Sequence, residues 1–225
     1  RPLEGRVELS ASMRPARDVG GDFYDYFMLG RHKLAIAIGD VCGKGIPASL
    51  FMSVAITTLR SAAAEEKTIE ATLARINTSL CRDNDASMFA TLFFAVLDTR
   101  TGELEYGNCG HNAPYVLSAG GRQSLPTTGI PVGLIDGRSA KVGRLRLSPG
   151  DLLVTFTDGV TEAMDPRQEQ FGNQRFEALL DAAAGARPAD LLPSILGAVD
   201  DFAAGEEQAD DITCLALRLI QAPRD

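Results

Sequence analysis

Basic residues are scarce in this chain. Lys and Arg number 22 against 30 Asp and Glu, for a net charge of -8 and a pI near 4.9. A nucleic-acid binder carries a basic stripe or patch, and the sequence holds none, so nucleic acid is not an expected partner. Cysteine is thin as well. Cys42, Cys81, Cys109 and Cys214 make no CxxC pair and have no nearby histidine pair. That argues against a zinc site and a disulfide framework, and for buried reduced thiols. Cys42 is the exception to watch, because it sits in a glycine-bearing loop where oxidation would reach its neighbours. No uninterrupted apolar run reaches the roughly 18 residues of a membrane span. No basic segment followed by an apolar one opens the chain. Repeats, low-complexity stretches and linkers are missing too, so residues 1–225 read as one domain. The first residue is arginine rather than methionine. The expectation is a cytoplasmic domain cut from a longer protein, whose upstream part carries a sensor or a membrane anchor.

What is present is blocks of strands alternating with pairs of helices. Val7–Met13, Phe23–Leu29 and the nearly continuous apolar run Leu34–Val41 read as strands. A helix starting at Pro47 follows, with Leu50, Phe51, Val54 and Leu59 on a broad apolar face. A second helix starts after Thr68 as N-cap and places Ile69, Leu73, Ile76 and Leu80 at helical spacing. The short connector between them predicts an antiparallel helical hairpin. Phe89–Asp98 and Glu103–Asn108 form a hairpin. Pro114–Leu117, Arg122–Leu125, Val142–Leu147 and Leu152–Thr157 add strands, punctuated by Gly and Pro. Asn173 is a cap for a helix carrying Phe176, Leu179 and Leu180, and another helix follows Pro188. Ile212–Ile220 is a last strand. Strands in runs and helices in pairs argue against a parallel βαβ sheet and for an α+β fold in which helices cover antiparallel sheets.

Four aspartates stand at strand ends in separate short motifs: Asp22 in GGDFYD, Asp40 in GDVCGKG, Asp158 in TFTDGVTEA and Asp210 in ADDIT. Each alone reads equally as a turn residue that accepts backbone N–H bonds. Together they read as a pocket for hard divalent cations, because convergent carboxylates share protons or hold cations. Asp40, followed by glycines that let the backbone turn, pairs its carboxylate with the adjacent Val41 carbonyl as donors. GGDF also matches part of the GGDEF loop of diguanylate cyclases, but Phe23 and Tyr24 stand where that loop carries a further acid. The histidines are two. His32 lies in a polar turn, and His111 reads as a structural loop residue or as a proton donor to a leaving group.

The ordered set GGDFYD, GDVCGKGIPA, FATLFFAVLD, GNCGHNAPYVL, PVGL, GDLLVTFTDGVTEA and ADDIT resembles the protein phosphatase 2C (PPM) superfamily of metal-dependent serine/threonine phosphatases. It is most similar to the bacterial branch of sporulation stage II phosphatases and the stress-response phosphatases of sigma-factor control. The resemblance runs over roughly residues 7–220. It implies a four-layer αββα sandwich, two antiparallel sheets flanked by helix pairs, with two Mn²⁺ or Mg²⁺ ions at one end. Carried over by position, Asp40 bridges the ions and Val41 offers its carbonyl. Asp158 and Asp210 hold one ion and Asp22 the other, directly or through water. Asp211 competes with Asp210 for the same role. Arg17, with Arg14 nearby, is the phosphate-binding candidate, although this branch tends to lack that residue.

The implied reaction is attack on phosphorus by a water that the ions activate, on a phosphoserine or phosphothreonine of a small anti-sigma antagonist protein. The branch also suggests control through the helical hairpin, which makes the linking residues Gly43, Lys44 and Gly45 regulatory candidates. A homodimer is left open. The competing reading is a catalytically silent module that binds a partner through the same sandwich. A nucleotide cyclase lacks the elements it would need.

Overall fold

The computed structural model describes residues 5–17, 19–82 and 84–220. Its elements run β1 (Val7–Arg14), β2 (Phe23–Met28), β3 (Lys33–Val41), α1 (Ile46–Glu65), α2 (Ile69–Cys81), β4 (Ala90–Asp98), β5 (Glu103–Cys109), β6 (Tyr115–Ser118), β7 (Gly121–Ser124), β8 (Gly143–Arg146), β9 (Leu152–Phe156), α3 (Asp158–Thr161), α4 (Gly172–Ala182), α5 (Pro188–Ala203) and β10 (Ile212–Leu219). One sheet has the order β1-β10-β9-β6-β7 and the other β2-β3-β4-β5-β8. Every pairing between these strands is antiparallel.

The alternation of side chains along the central strands builds the layers. In β3, Leu34, Ile36 and Ile38 point into the core between the sheets, while Ala35 and Ala37 point to α1 and α2. In β10, Leu215, Leu217 and Leu219 join the same inter-sheet core, while Ile212, Cys214 and Ala216 face α4 and α5. Continuous apolar strands are thus buried on both faces. The result is the expected α+β four-layer sandwich, α1α2 over one sheet and the remaining helices over the other.

Local signals explain most boundaries. The Thr68 side chain accepts a hydrogen bond from the Ala71 amide (3.2 Å) and caps α2. Three details differ from expectation. Asn173 is not a cap: α4 already starts at Gly172, behind Phe171. The turn after β9 tightens into α3, a four-residue helix too short for a periodic signal. The third concerns α1, which buries Ala48, Ala55, Leu59, Ala62 and Ala63, small residues that let it lie close to the alanines of β3. Leu50 and Val54, expected on its buried face, are 63% and 53% exposed, in line with Ile46 at 68%. Arg60 then fixes the helix, forking onto Asp25 of β2 at 2.6 Å through two nitrogens and lying over the Phe27 ring. By length and composition α1 is the one helix among the described residues able to cross a membrane, although it forms part of a layer of the sandwich. Of the cysteines, Cys109 and Cys214 are buried as expected, with thiols pushed up to about 12 by burial, whereas Cys42 is exposed.

Candidate active site

Strand register alone brings the motif aspartates to one end of the sandwich. Phe23 pairs with Gly39, so Asp22 and Asp40 flank one rung of the second sheet. Cys214 pairs with Phe156 and Arg14 with Ile212, so Asp158, Asp210 and Asp211 leave the first sheet at the same edge. A narrow cleft there is lined by Arg17, Gly20, Gly21, Asp40, Gly43, Lys44, Gly45, Asp210 and Asp211. A larger cavity, lined among others by Met28, Lys33, Lys67 and Phe94, lies at the opposite end of β2 and β3 and holds none of these acids.

Two of the acids are bound into the scaffold. Asp211 is 6% exposed; its Oδ1 accepts the Ala16 amide (2.8 Å) and its Oδ2 accepts those of Gly21 (2.9 Å) and Asp22 (3.4 Å). It therefore clamps the loop before β2 onto β10, and a Cβ at Gly20 would stand 1.9 Å from Oδ2, so only glycine fits under the clamp. Asp22 is 3% exposed and crosses between the sheets: its Oδ2 accepts the hydroxyls of Thr157 (2.7 Å) and Thr213 (2.6 Å). Burial, opposed by those hydroxyls and reinforced by the charges of Asp40 and Asp211, pushes its carboxyl up to about 8.

The other acids face the cleft. Asp40 is pushed up to about 7, first by burial and then by repulsion from Asp158, Asp210 and Asp211. Its Oδ1 and the Val41 carbonyl both face Gly21, where a Cβ would sit 3.2 and 3.0 Å from them. Asp158 opens α3 and is raised by burial and by Asp210, with the Gly159 amide and Lys44 opposing. Glu162, one turn on, is raised by burial and the same acids. Asp210 accepts the Asp211 amide through Oδ1 (2.9 Å) and pairs through Oδ2 with the Lys44 ammonium (2.9 Å), which also donates to the Ala209 carbonyl (3.0 Å). His111 is buried, and burial holds its imidazole down at about 4, so it is neutral near pH 7. Its Nδ1 meets the Thr91 hydroxyl (2.8 Å), which lies 3.4 Å from the Asp40 carbonyl. Its Nε2, on the side of the Phe156 carbonyl, lacks a well-formed hydrogen bond. This is a support behind Asp40, not a proton donor in the cleft. Arg14 is engaged with Asp200 of α5 at 2.7 Å, while Arg17 stands exposed at the cleft.

Among the described residues no three His, Cys, Asp or Glu side chains are already closed into a metal cluster. The donor chemistry nevertheless fits hard divalent cations. All the groups are oxygens, and repulsion among them, with Lys44 the cation that offsets it at Asp40, Asp158 and Glu162, leaves a charge deficit. Thr157, Thr213 and Thr91 were not singled out from sequence, although each stands within four residues of a motif acid or on a strand that pairs with one.

Comparison with known proteins gives a consistent picture. Residues 30–220 match the family model described as Stage II sporulation protein E. Protein IcfG of Synechocystis sp. is 35% identical over 242 residues, covering 93% of this chain and 37% of that protein. Phosphoserine phosphatase RsbU of Bacillus subtilis is 32% identical over 163 residues, covering 72% of this chain and 48% of that protein. The chain thus spans less than half the length of either. The crystal structure of the RsbU and RsbW domains of Rv1364c from Mycobacterium tuberculosis superposes with a TM-score of 0.83 at 28% identity, over 98% of this chain and 61% of that one.

Proposed function

Because the chain belongs to the Stage II sporulation protein E family, we propose that it is a metal-dependent serine/threonine phosphoprotein phosphatase. The observation that carries this reading is the meeting of acids from four distant chain segments at one sandwich edge, with Asp22 and Asp40 held well above the usual carboxylate range. Such an arrangement is costly without a cation. Two divalent cations, Mn²⁺ or Mg²⁺, would supply there a water activated for in-line attack on phosphorus. Asp40, the Val41 carbonyl, Asp158 and Asp210 are the open oxygens that would hold them. Asp22 contributes through its remaining oxygen, directly or through water. Asp211 we assign to the loop clamp, because backbone amides take both of its oxygens.

The substrate we propose is a phosphoserine or phosphothreonine on a small regulatory protein of the anti-sigma antagonist type. The name of the RsbU relative, a phosphoserine phosphatase, supports that class. We further propose that the domain works in the cytoplasm. The test is hydrolysis of p-nitrophenyl phosphate and of a phosphoserine peptide with added Mn²⁺. Turnover that depends on Mn²⁺ and vanishes in Asp40→Asn and Asp158→Asn is expected. Absence of turnover with either ion, together with no Mn²⁺ binding, overturns the reading in favour of a silent partner-binding module.

A further inference from the structure

A phosphoryl dianion entering this cleft meets Asp40, Asp210 and Asp211 on the walls, and Asp158 and Glu162 nearby. Besides the divalent cations, positive side chains of the protein itself would hold it. Arg14 is spent on Asp200. The lining cations are Arg17 and Lys44. Lys44 is the one whose charge is felt at Asp40, Asp158 and Glu162 alike, yet its ammonium is occupied by Asp210 at 2.9 Å and the Ala209 carbonyl at 3.0 Å.

That occupancy is easily reversed. The pair is half-exposed, with side-chain exposures of 50% and 43%, and exposed pairs are weak. A divalent cation at the same carboxylate oxygen carries twice the charge and approaches to about 2.1 Å, so the two cannot share Asp210 on equal terms. Lys44 is also hinged on both sides. Gly43 and Gly45 hold φ of +108° and +79°, and a Cβ at either would meet nothing within 4 Å. The loop can therefore turn without unpacking the core. Lys44 borders not only the acid cleft but also an adjoining groove lined by Glu162, Met164, Asp200 and Gln208. From there its four-carbon stem has room to redirect.

We propose that Lys44 is a phosphate-binding residue released by cation loading. In the cation-free protein its ammonium closes the site by pairing with Asp210. When Asp210 takes a divalent cation, Lys44 is freed to hold the phosphoryl oxygens of the substrate. This rests on the phosphatase reading above. It makes loading and substrate binding sequential, with one side chain as both stopper and ligand.

The experiment compares wild type, Lys44→Met, Lys44→Arg and Arg17→Met. Mn²⁺ affinity is read from the free-ion electron paramagnetic resonance signal, without substrate. Phosphate affinity is read as the inhibition constant of inorganic phosphate against p-nitrophenyl phosphate, and thermal melts confirm folding. Lys44→Met should bind Mn²⁺ about threefold to fivefold tighter, since a competing exposed pair is gone. It should bind phosphate about tenfold to a hundredfold weaker, since a charge-assisted bond is lost. Lys44→Arg should keep most of the phosphate affinity, and Arg17→Met should leave Mn²⁺ affinity within about twofold, having no pair with Asp210 to lose. A general loss of structure would weaken both ligands together. Unchanged or weaker Mn²⁺ binding in Lys44→Met overturns the proposal, as does unchanged phosphate binding, or equal tightening in Arg17→Met. If wild type binds Mn²⁺ and Asp40→Asn abolishes it, such a failure touches Lys44 alone. If wild type binds no Mn²⁺, the phosphatase reading falls and the Lys44 proposal with it.

Discussion

Asp210 and Asp211 are neighbours in sequence with opposite duties, and exchanging each for asparagine separates them. Asp211→Asn keeps one acceptor oxygen but turns an NH₂ toward the donors that Oδ2 now serves, the amides of Gly21 (2.9 Å) and Asp22 (3.4 Å). The short bond is charge-assisted and buried, worth about 1.5–3 kcal/mol, and the long one adds little. Relief of repulsion at Asp22 and Asp40, both raised by the charge of Asp211, returns part of this. The net expectation is a loss of about 2 kcal/mol, or roughly 4–8 °C in melting temperature for a domain of this size. Asp210→Asn removes only a half-exposed pair with Lys44, worth about 0–1 kcal/mol, and relieves repulsion at Asp40 and Asp158. Its melt in EDTA should stay within about 3 °C of wild type, while Mn²⁺ affinity falls at least about tenfold, the scale on which even a residue behind a ligand matters. The assay is a thermal melt in EDTA beside an Mn²⁺ titration below the melting range. If Asp210→Asn proves the unstable variant and Asp211→Asn the one that loses Mn²⁺, the assignment of clamp and ligand is reversed and this reasoning fails.

In EDTA, stability should fall as pH rises. Asp22 and Asp40 have folded values of about 8 and about 7 against an ordinary 3.8, so their protonated forms favour the fold. Their contribution is complete below about pH 4 and disappears as pH climbs through 7 to 8; urea midpoints across that range check it, and Asp22→Asn or saturating Mn²⁺ should flatten the slope. Gly159→Ala places a Cβ 2.0 Å from the Asp211 carbonyl oxygen, so α3 must shift from β10; a loss of about 2–3 kcal/mol in urea unfolding is expected, together with weaker Mn²⁺ binding through Asp158. Thr157→Val leaves the Thr213 amide without its 2.9 Å acceptor and Asp22 with one hydroxyl donor instead of two. It should cost about 1–3 kcal/mol and steepen the EDTA pH dependence, as urea unfolding at pH 5 and pH 8 will show.

The layers were legible because they obey period. Leu34–Ile38 is apolar at every position since helices cover one face of β3 and the sheet containing β9 and β10 covers the other. The spacing of Ile69, Leu73, Ile76 and Leu80 admits one buried face for α2, and all four are buried. Helix α1 was misjudged because its sequence is apolar on nearly every side. Its buried face is chosen by size, the alanines packing closest, and hydrophobicity alone does not report size. The α4 start was misplaced for a local reason. Asn173 has the chemistry of a cap, but Gly172 at φ +76° turns the chain one residue earlier.

The acids were visible at the site because turns that carry Asp beside Gly stand out, and antiparallel register then dictates that strand ends flanking Phe23–Gly39 and Phe156–Cys214 share an edge. What sequence does not carry is how each carboxylate spends its oxygens. Asp22, Asp40, Asp210 and Asp211 look alike as letters. Their difference lies in donors contributed from afar: Thr157 and Thr213 for Asp22, Ala16 and Gly21 for Asp211, Lys44 for Asp210. That division has a physical consequence. Acids engaged by buried internal donors hold the frame of the cleft whether or not a cation is present, and acids left open or only loosely paired respond to one. The loosely paired member, Asp210, is bound to the Gly43–Gly45 loop, and that loop runs directly into the N-terminus of α1. Gly45 alone separates Lys44 from the first residue of α1, whose outer side bears Ile46, Leu50 and Val54.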